Sequence, residues 1–413
     1  VSDAPAGAVT ASAVPVPSRL QVKFPPELHD QLIALRRALH QHPELSGHET
    51  ETATRLAGAV AAVTARRPAA IQRPGKGNMV VARVPGRRPG APLVAIRGDI
   101  DALPIQEETG LPYASQVPGV MHACGHDVHA TWAVGAAGLL SAAPAAGDVL
   151  IVLQPAEETG RGALDVLETG ALDDVRAIFG GHVDRRFTVG QVVADEGSLA
   201  ASADTFTIEL IGRGAHAARP HESADPIVGL GAVISAFQTI VARRLNPATP
   251  GVVTVGRVRA GTASNVIPER ATLEGTLRAI DPATRQLLRD EIERIASAIA
   301  AAHRLEARVT VDLGTPPVVN PPGATAWART AVTNTLGADA LTPLGFVNLA
   351  GEDFAHYQER IPGCFVRIGA REPGGEAIPA HSPRFTASES SIFVGAAVLA
   401  EAARVASEAL AKG

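Results

Sequence analysis

The sequence is poor in cysteine: its 413 residues hold two, Cys124 and Cys364, far apart in the chain. So few thiols exclude a disulfide framework and fit a reducing, cytoplasmic compartment. No run of about eighteen strongly apolar residues occurs. The nearest approach, Ala130 to Gly147, is rich in Ala and Gly and is broken by Pro144, so no membrane span is expected. Clusters of Lys and Arg beside aromatics are also missing. With a net charge of only −5, a nucleic-acid partner is not expected. The basic stretch Arg83 to Arg88 is interrupted by Pro85 and Gly86 and reads as a turn between strands. Val1 to Ser18 holds no Lys or Arg, so it lacks the charged start of a signal peptide, and residues 1–25 read as a loose tail.

Apolar residues make up 46% of the chain, enough for one large core and for two domains. The densest chemistry lies in Met121-His122-Ala123-Cys124-Gly125-His126-Asp127-Val128-His129, just before an apolar run that reads as a helix. A thiolate and two or three imidazoles at this spacing suit a borderline-soft divalent metal. The same residues also allow a cysteine nucleophile, Cys124, with His126 or His122 as its base.

Leu28, Leu32, Leu35 and Leu39 recur at helical spacing, and that helix breaks before Pro43. A second helix is expected from near Glu49. Three apolar runs then end in reactive residues. Pro92 to Ile96 precedes Gly98-Asp99-Ile100-Asp101. Val149 to Leu153 precedes Gln154-Pro155-Ala156-Glu157-Glu158. Val175 to Phe179 precedes Gly180-Gly181-His182. Strands alternating with helices imply a mostly parallel sheet, whose ligands bind at the carboxyl ends of the strands. From about Asp195 the order becomes β-α-β-β-α-β, a ferredoxin-like α+β unit. The expected division is therefore a catalytic α/β domain in two halves, 1–194 and 315–413, with an inserted lid at 195–314.

Five candidate ligands, Cys124, His126, Glu158, His182 and His381, suit two metals better than one. Glu157 and Glu158 are adjacent, and in extended chain they would point to opposite sides, one to a metal and the other to the attacking water. His40, His42, His122, His129 and His221 are further candidates, read chiefly as structural, and Cys364 as core.

Taken together, Gly98-Asp99-Ile100-Asp101-Ala102-Leu103-Pro104, His122-Ala123-Cys124-Gly125-His126-Asp127, Gln154-Pro155-Ala156-Glu157-Glu158, Gly214-Ala215-His216, Asn265-Val266-Ile267-Pro268 and Gly351-Glu352-Asp353-Phe354 resemble the M20 metallopeptidases. More narrowly they resemble the amidohydrolase branch, which includes hippurate hydrolases, aminoacylases and indole-acetyl-amino-acid hydrolases. The resemblance runs from about Leu28 to the C-terminus. It implies two divalent ions, zinc or manganese, held by Cys124, His126, Glu158, His182 and His381. Glu157 would be the general base for a water activated by those metals, and Asp101 would orient the site. His216 would stabilise the developing oxyanion, in some members from a neighbouring subunit. Asn265 and Arg278 would contact the substrate, and the lid would carry a homodimer contact. Two departures stand out. The wider family has His-x-Asp where this chain has Asp99-Ile100-Asp101 and a bridging acid where it has Cys124; both fit the amidohydrolase branch. Asp184-Arg185-Arg186 stands where a more apolar continuation is expected. The resulting expectation is hydrolysis of the amide bond of N-acyl amino acids. A dipeptidase or carboxypeptidase of the same family and a non-catalytic metal-binding protein are the alternatives.

Overall fold

Buried apolar runs and amphipathic helices alternate along the chain in the computed structural model, which describes residues 14–412. The first elements are α1 (Pro26–Gln41), α2 (Thr50–Val63), β1 (Ala70–Gln72), β2 (Val80–Val84), β3 (Leu93–Asp99), α3 (His126–Ala142), β4 (Val149–Gln154), α4 (Gly162–Glu168), β5 (Val175–Thr188) and β6 (Val192–Val193). Next come β7 (Gly197–Ala200), β8 (Ala203–Ile211), β9 (Ala215–His216), α5 (Pro226–Thr239), β10 (Gly251–Ala260), β11 (Val266–Ile267), β12 (Arg270–Ala279), α6 (Pro282–Ala302) and β13 (Glu306–Thr315). The chain closes with β14 (Val318–Asn320), α7 (Pro322–Leu336), α8 (Phe354–Gln358), β15 (Gly363–Arg371) and α9 (Ser391–Leu410). Two compact units result. One holds the chain up to Gly197, Asn320–Gly345 and the chain from His356 on; the other holds Ser198–Val319 and Phe346–Ala355.

The first unit is a mixed α/β layer structure on a seven-stranded sheet, ordered β1-β2-β4-β3-β5-β15-β6. Its centre, β4-β3-β5-β15, pairs in parallel, while β1-β2, β2-β4 and β15-β6 pair antiparallel. The sequence reading of a mostly parallel sheet misses these edges, where short connections such as that from β1 to β2 can only join antiparallel strands. Strands β3 and β4 are buried along their whole length, as their continuous apolar runs require. Helices α3 and α9 pack on one face of the sheet and are buried on nearly every side. Small residues let them approach: a Cβ on Gly395 would stand 2.3 Å from the Trp132 ring. Ser390–Leu410 is also long and apolar enough to span a membrane by composition, but its residues are core.

Residues 1–13 of the stretch read as a loose tail lie outside the described residues. From Val14 onward that reading fails, because Val14, Leu20 and Phe24 are buried. Phe24 packs edge-on against Phe393 at 5.0 Å between centroids, and the Val14 carbonyl accepts from His29 Nε2 at 2.9 Å. Strand β5 also runs on past the expected end at Phe179 to Thr188. The reason is that β15 hydrogen-bonds along it from Gly363 to Arg371.

The second unit is a four-stranded antiparallel sheet, ordered β10-β12-β8-β13, with α5 and α6 packed against it. Both helices begin on an aspartate cap followed by proline. Asp225 accepts from Ile227 N–H and Asp281 from Thr284 N–H, at 2.8 Å each. Phe206, Leu230, Val233, Phe237, Leu273 and Ile292 form its core. A short antiparallel ribbon pairs β9 with β11.

Candidate metal centre and active site

The turn into α3 places the densest cluster. Gly125 adopts φ +92° immediately before His126, and a Cβ there would stand 2.6 Å from Val183 Cγ2, so only glycine fits. His126 is thereby brought beneath the end of β3. Its Nδ1 bonds the Asp101 carboxylate and the Asp101 carbonyl, each at 3.0 Å. Asp101 also accepts from Ser46 Oγ at 2.7 Å and from the Glu158 N–H at 3.0 Å. One carboxylate thus orients a ligand candidate from α3 and the backbone of another from the β4 turn. Burial opposes the charge on Asp101, but the His126 hydrogen bond and proximity and the other donors outweigh it and hold the carboxyl below its usual range.

His182 donates from Nδ1 to the Val183 carbonyl at 2.7 Å, leaving Nε2 at 3.2 Å from Cys124 Sγ. His381 adopts φ +65° and its N–H bonds the Ala123 carbonyl at 2.8 Å; its Nε2 lies 3.4 Å from Glu158 Oε1. Ala156, at φ +56°, precedes Glu157. Left-handed conformations at non-glycine residues cost free energy, and two of the three among the described residues adjoin this cluster. After Ala156 the chain makes a 3-10 turn, Glu157–Thr159. The two glutamates therefore do not diverge as in extended chain. Glu157 Oε2 and Glu158 Oε1 each come within 3.8 Å of His126 Nε2.

Donor atoms within 4.8 Å of one another form overlapping groups here, among them Cys124, His126 and His182; Cys124, Glu158 and His381; His126, Glu157 and Glu158; and Asp99, His126 and His129. All five ligand candidates are gathered, and Cys124 is shared by the first two groups. The fit to a divalent ion is good on the chemistry present. His126 Nε2 and Glu158 Oε1 are buried without a hydrogen-bond partner, which is costly for polar atoms that nothing else completes. A thiol, imidazoles and a carboxylate are donors that suit a divalent metal ion. Burial and the nearby Glu158 and Glu157 push the Cys124 thiol pKa up, although His126 opposes them. An activated cysteine nucleophile needs the opposite shift, and a metal would supply the missing positive charge.

The other histidines divide clearly. His129 donates from Nδ1 to Asp99 at 2.6 Å and accepts at Nε2 from the Val183 N–H at 2.9 Å. His40 lies between Asp127, at 2.7 Å, and Glu107, at 3.2 Å. His42 bonds the Ala38 carbonyl at 3.0 Å. His122 is buried with neither ring nitrogen bonded, and burial pushes its pKa down to about 4. Cys364 lies in the core. In the second unit, His216 and Asn265 share the small ribbon: His216 pairs in register with Val266, and the Asn265 carbonyl accepts from Ala217 N–H at 3.0 Å. Arg278 is half-buried on β12, and His221 is exposed. Glu352 is buried and accepts from the Phe354 N–H at 3.0 Å, tying its own loop, and Asp353 is buried beside it. Sequence reasoning missed Arg97, which pairs with Asp99 behind the site, and Arg36, which lies 3.1 Å from Asp127. It also missed Arg367. Each stands within or beside an apolar run, and a cation there is the signal that could have revealed it.

Residues 95–405 match the model of peptidase family M20/M25/M40. N-acetylcysteine deacetylase of Bacillus subtilis is 41% identical over 384 residues, covering 92% of this chain and 98% of that one. IAA-amino acid hydrolase ILR1-like 2 of Arabidopsis thaliana is 35% identical over 386 residues, covering 92% and 85%. A solved Bacillus subtilis structure, described as a dinuclear metal binding peptidase from the M20 family, superposes with a TM-score of 0.79 at 38% identity, covering 92% of this chain and 98% of that one. With a match of this length and relatives of this identity, the chain belongs to peptidase family M20/M25/M40, as a metal-dependent hydrolase of its amidohydrolase branch.

Proposed function

We propose that the protein hydrolyses the amide bond of N-acyl amino acids with two divalent ions, zinc or manganese. The observation that carries this is the pair of donor groups sharing Cys124, with the Glu157 carboxylate beside them. Cys124, His126 and His182 would hold one ion, and Cys124, Glu158 and His381 the other. When bound, the ions supply Lewis-acid polarisation of the scissile carbonyl and a lowered pKa for the attacking water. Asp101 keeps His126 turned so that Nε2 faces the site. Glu157 takes the proton from the attacking water and returns it to the departing amine nitrogen. Relatives named as deacetylase and amino acid hydrolase act on acylated amino acids by those names, which supports this substrate class over dipeptides.

The second unit, in this proposal, is a ferredoxin-like lid. Its β-α-β-β-α-β order and antiparallel sheet support that reading. His216 would donate to the developing oxyanion, and Asn265 and Arg278 would contact the substrate. A homodimer through this unit is also proposed. Ile227, Val228 and Val241 expose apolar surface along its first helix, and β10 is a sheet edge with unpaired backbone groups facing outward. A cytoplasmic location is proposed from the scarcity of cysteine.

The test is a hydrolysis screen of N-acetyl, N-benzoyl and N-indoleacetyl amino acids with chelated and metal-replete protein, alongside Glu157→Gln. Glutamine keeps the shape but cannot take a proton. The variant should keep its metals and lose roughly 10²–10⁴-fold in kcat, the usual worth of a general base. A variant within tenfold of wild type, with metals retained, removes Glu157 from the mechanism.

A further inference from the structure

Three arginines are buried among the described residues: Arg36, Arg97 and Arg367. A guanidinium stays charged at every physiological pH, so its removal from water is costly unless an anion accompanies it. Arg36 lies 3.1 Å from Asp127, and Arg97 pairs with Asp99. Arg367 is 6% exposed, and its Nε is fully buried without a hydrogen-bond partner. No carboxylate among the described residues forms an ion pair with it. Its contact is with the Phe365 ring, 5.5 Å from the guanidinium carbon to the centroid.

The place of this cation decides its meaning. Arg367 on β15 is the parallel register partner of His182 on β5. Register partners on neighbouring strands point to the same face of a sheet. Cys364, Val366 and Ile368 join Phe179 and Val183 in the core under α3 and α9. Phe365, Arg367 and His182 therefore point to the opposite face, where His182 Nε2 meets Cys124. Two divalent ions held here would be matched in charge by the Cys124 thiolate and the Glu158, Glu157 and Asp101 carboxylates, which leaves none of these anions for Arg367. A further cation beside the two ions is unfavourable unless an incoming anion balances it.

We propose that Arg367 determines specificity by receiving a carboxylate of the substrate beside His182. This rests on the amidohydrolase reading above. The carboxylate has two sources, the α-carboxylate of the amino-acid part or an acid on the acyl part, and paired substrates separate them. N-benzoylglycine against N-benzoylglycinamide tests the first, and N-succinylglycinamide against N-acetylglycinamide the second.

Steady-state kinetics of wild type, Arg367→Met and Arg367→Lys on metal-replete protein, with melting temperatures of metal-free and metal-loaded samples, provide the test. In at least one pair the wild type should prefer the charged member. Arg367→Met should raise KM for that member by about tenfold or more, the scale of one charge-assisted hydrogen-bonded pair, and leave the neutral member's KM and both kcat values near wild type. Arg367→Lys should recover part of the preference. The methionine variant should melt at or above wild type, because an unpaired buried charge has been replaced by an apolar chain. Equal KM changes on charged and neutral substrates, or a lowered melting temperature in both metal states, overturn the inference. An active wild type indifferent to carboxylates overturns it alone. A wild type inert towards all of these substrates overturns the amidohydrolase reading and this inference with it.

Discussion

The Nε2 atom of His129 accepts the backbone N–H of Val183 at 2.9 Å, and Val183 is the residue next to His182. Since the backbone N–H must donate, His129 carries its proton on Nδ1 and gives that hydrogen bond to Asp99 at 2.6 Å. Asp99 is held in turn by Arg97. This chain of contacts fixes the strand that presents His182. His129→Ala should therefore weaken metal binding by about 10–100-fold, the usual effect of losing a group that orients a ligand, and His129→Gln should restore part of it. Calorimetric metal titration reads this directly. Unchanged affinity in His129→Ala would reduce the contact to packing.

Cys124 belongs to two donor groups, whereas His182 and His381 belong to one each. Removal of the shared donor should have a different stoichiometry from removal of an unshared one. Cys124→Ala should lose both ions at metal concentrations that saturate wild type. His182→Ala and His381→Ala should each retain one more firmly than the other. Ions that bind only the folded chain stabilise it by RT ln(1 + [L]/Kd), about 4 kcal/mol at a thousandfold excess over Kd. The metal-induced rise in melting temperature should thus be smallest for Cys124→Ala. Equal metal content in all three variants would show that Cys124 is not shared.

The cluster around Asp127 sets a pH profile for stability. Burial works against the charge on Glu107, but hydrogen bonds from His40, Thr109 and the Ser115 N–H outweigh it and pull its pKa down to about 2. A carboxyl depressed on folding contributes stability above its unfolded pKa of about 4.3, and that contribution is lost as the pH falls towards 2. Burial and Arg36 oppose a charge on His40, but Asp127 and Glu107 prevail and raise its pKa. A histidine raised on folding contributes fully below its unfolded value of about 6.5, and the contribution is lost as the pH rises through the folded one. Both contributions are complete together between about pH 5 and 6, and each fades gradually beyond that window. Glu107→Gln should flatten the acid limb and lower the His40 pKa seen by NMR. Urea unfolding across pH gives the first, and superimposable curves for variant and wild type would refute the coupling.

How much of this was legible beforehand follows from what local sequence encodes. His126, Cys124 and Glu158 stand in compact motifs whose residue types announce ligand chemistry. The convergence of Glu157 with Glu158 was not legible, because it depends on a left-handed Ala156 that no propensity favours. The length of β5 was hidden by Gly180-Gly181 and the charged run after His182, since only the pairing with β15 extends it. Arg367 looked like an ordinary strand residue. That no carboxylate among the described residues pairs with it becomes visible only when the strands are assembled. The packing of Phe24 was lost for a similar reason, as its partner Phe393 lies at the far end of the chain.

His216 stands exposed on the ribbon of the second unit, with Nδ1 accepting the Ala218 N–H at 3.1 Å. That contact alone would make it a turn residue. A turn residue predicts a lowered melting temperature for His216→Ala with kcat near wild type. An oxyanion donor predicts the reverse: normal metal content, nearly normal substrate binding, and a kcat lower by about 10²–10³, because the donor is needed mainly as negative charge develops. Steady-state kinetics beside a thermal melt separate the two. Subunit mixing then tests where the donor acts. If His216 serves a partner's site, a mixture of His216→Ala with Glu157→Gln chains contains dimers with one site supplied by an intact glutamate and an intact histidine, and activity returns. If the histidine serves its own chain, every site in the mixture lacks one of the two groups. Activity then stays at the level of the unmixed variants even after subunit exchange has been verified by labelled chains.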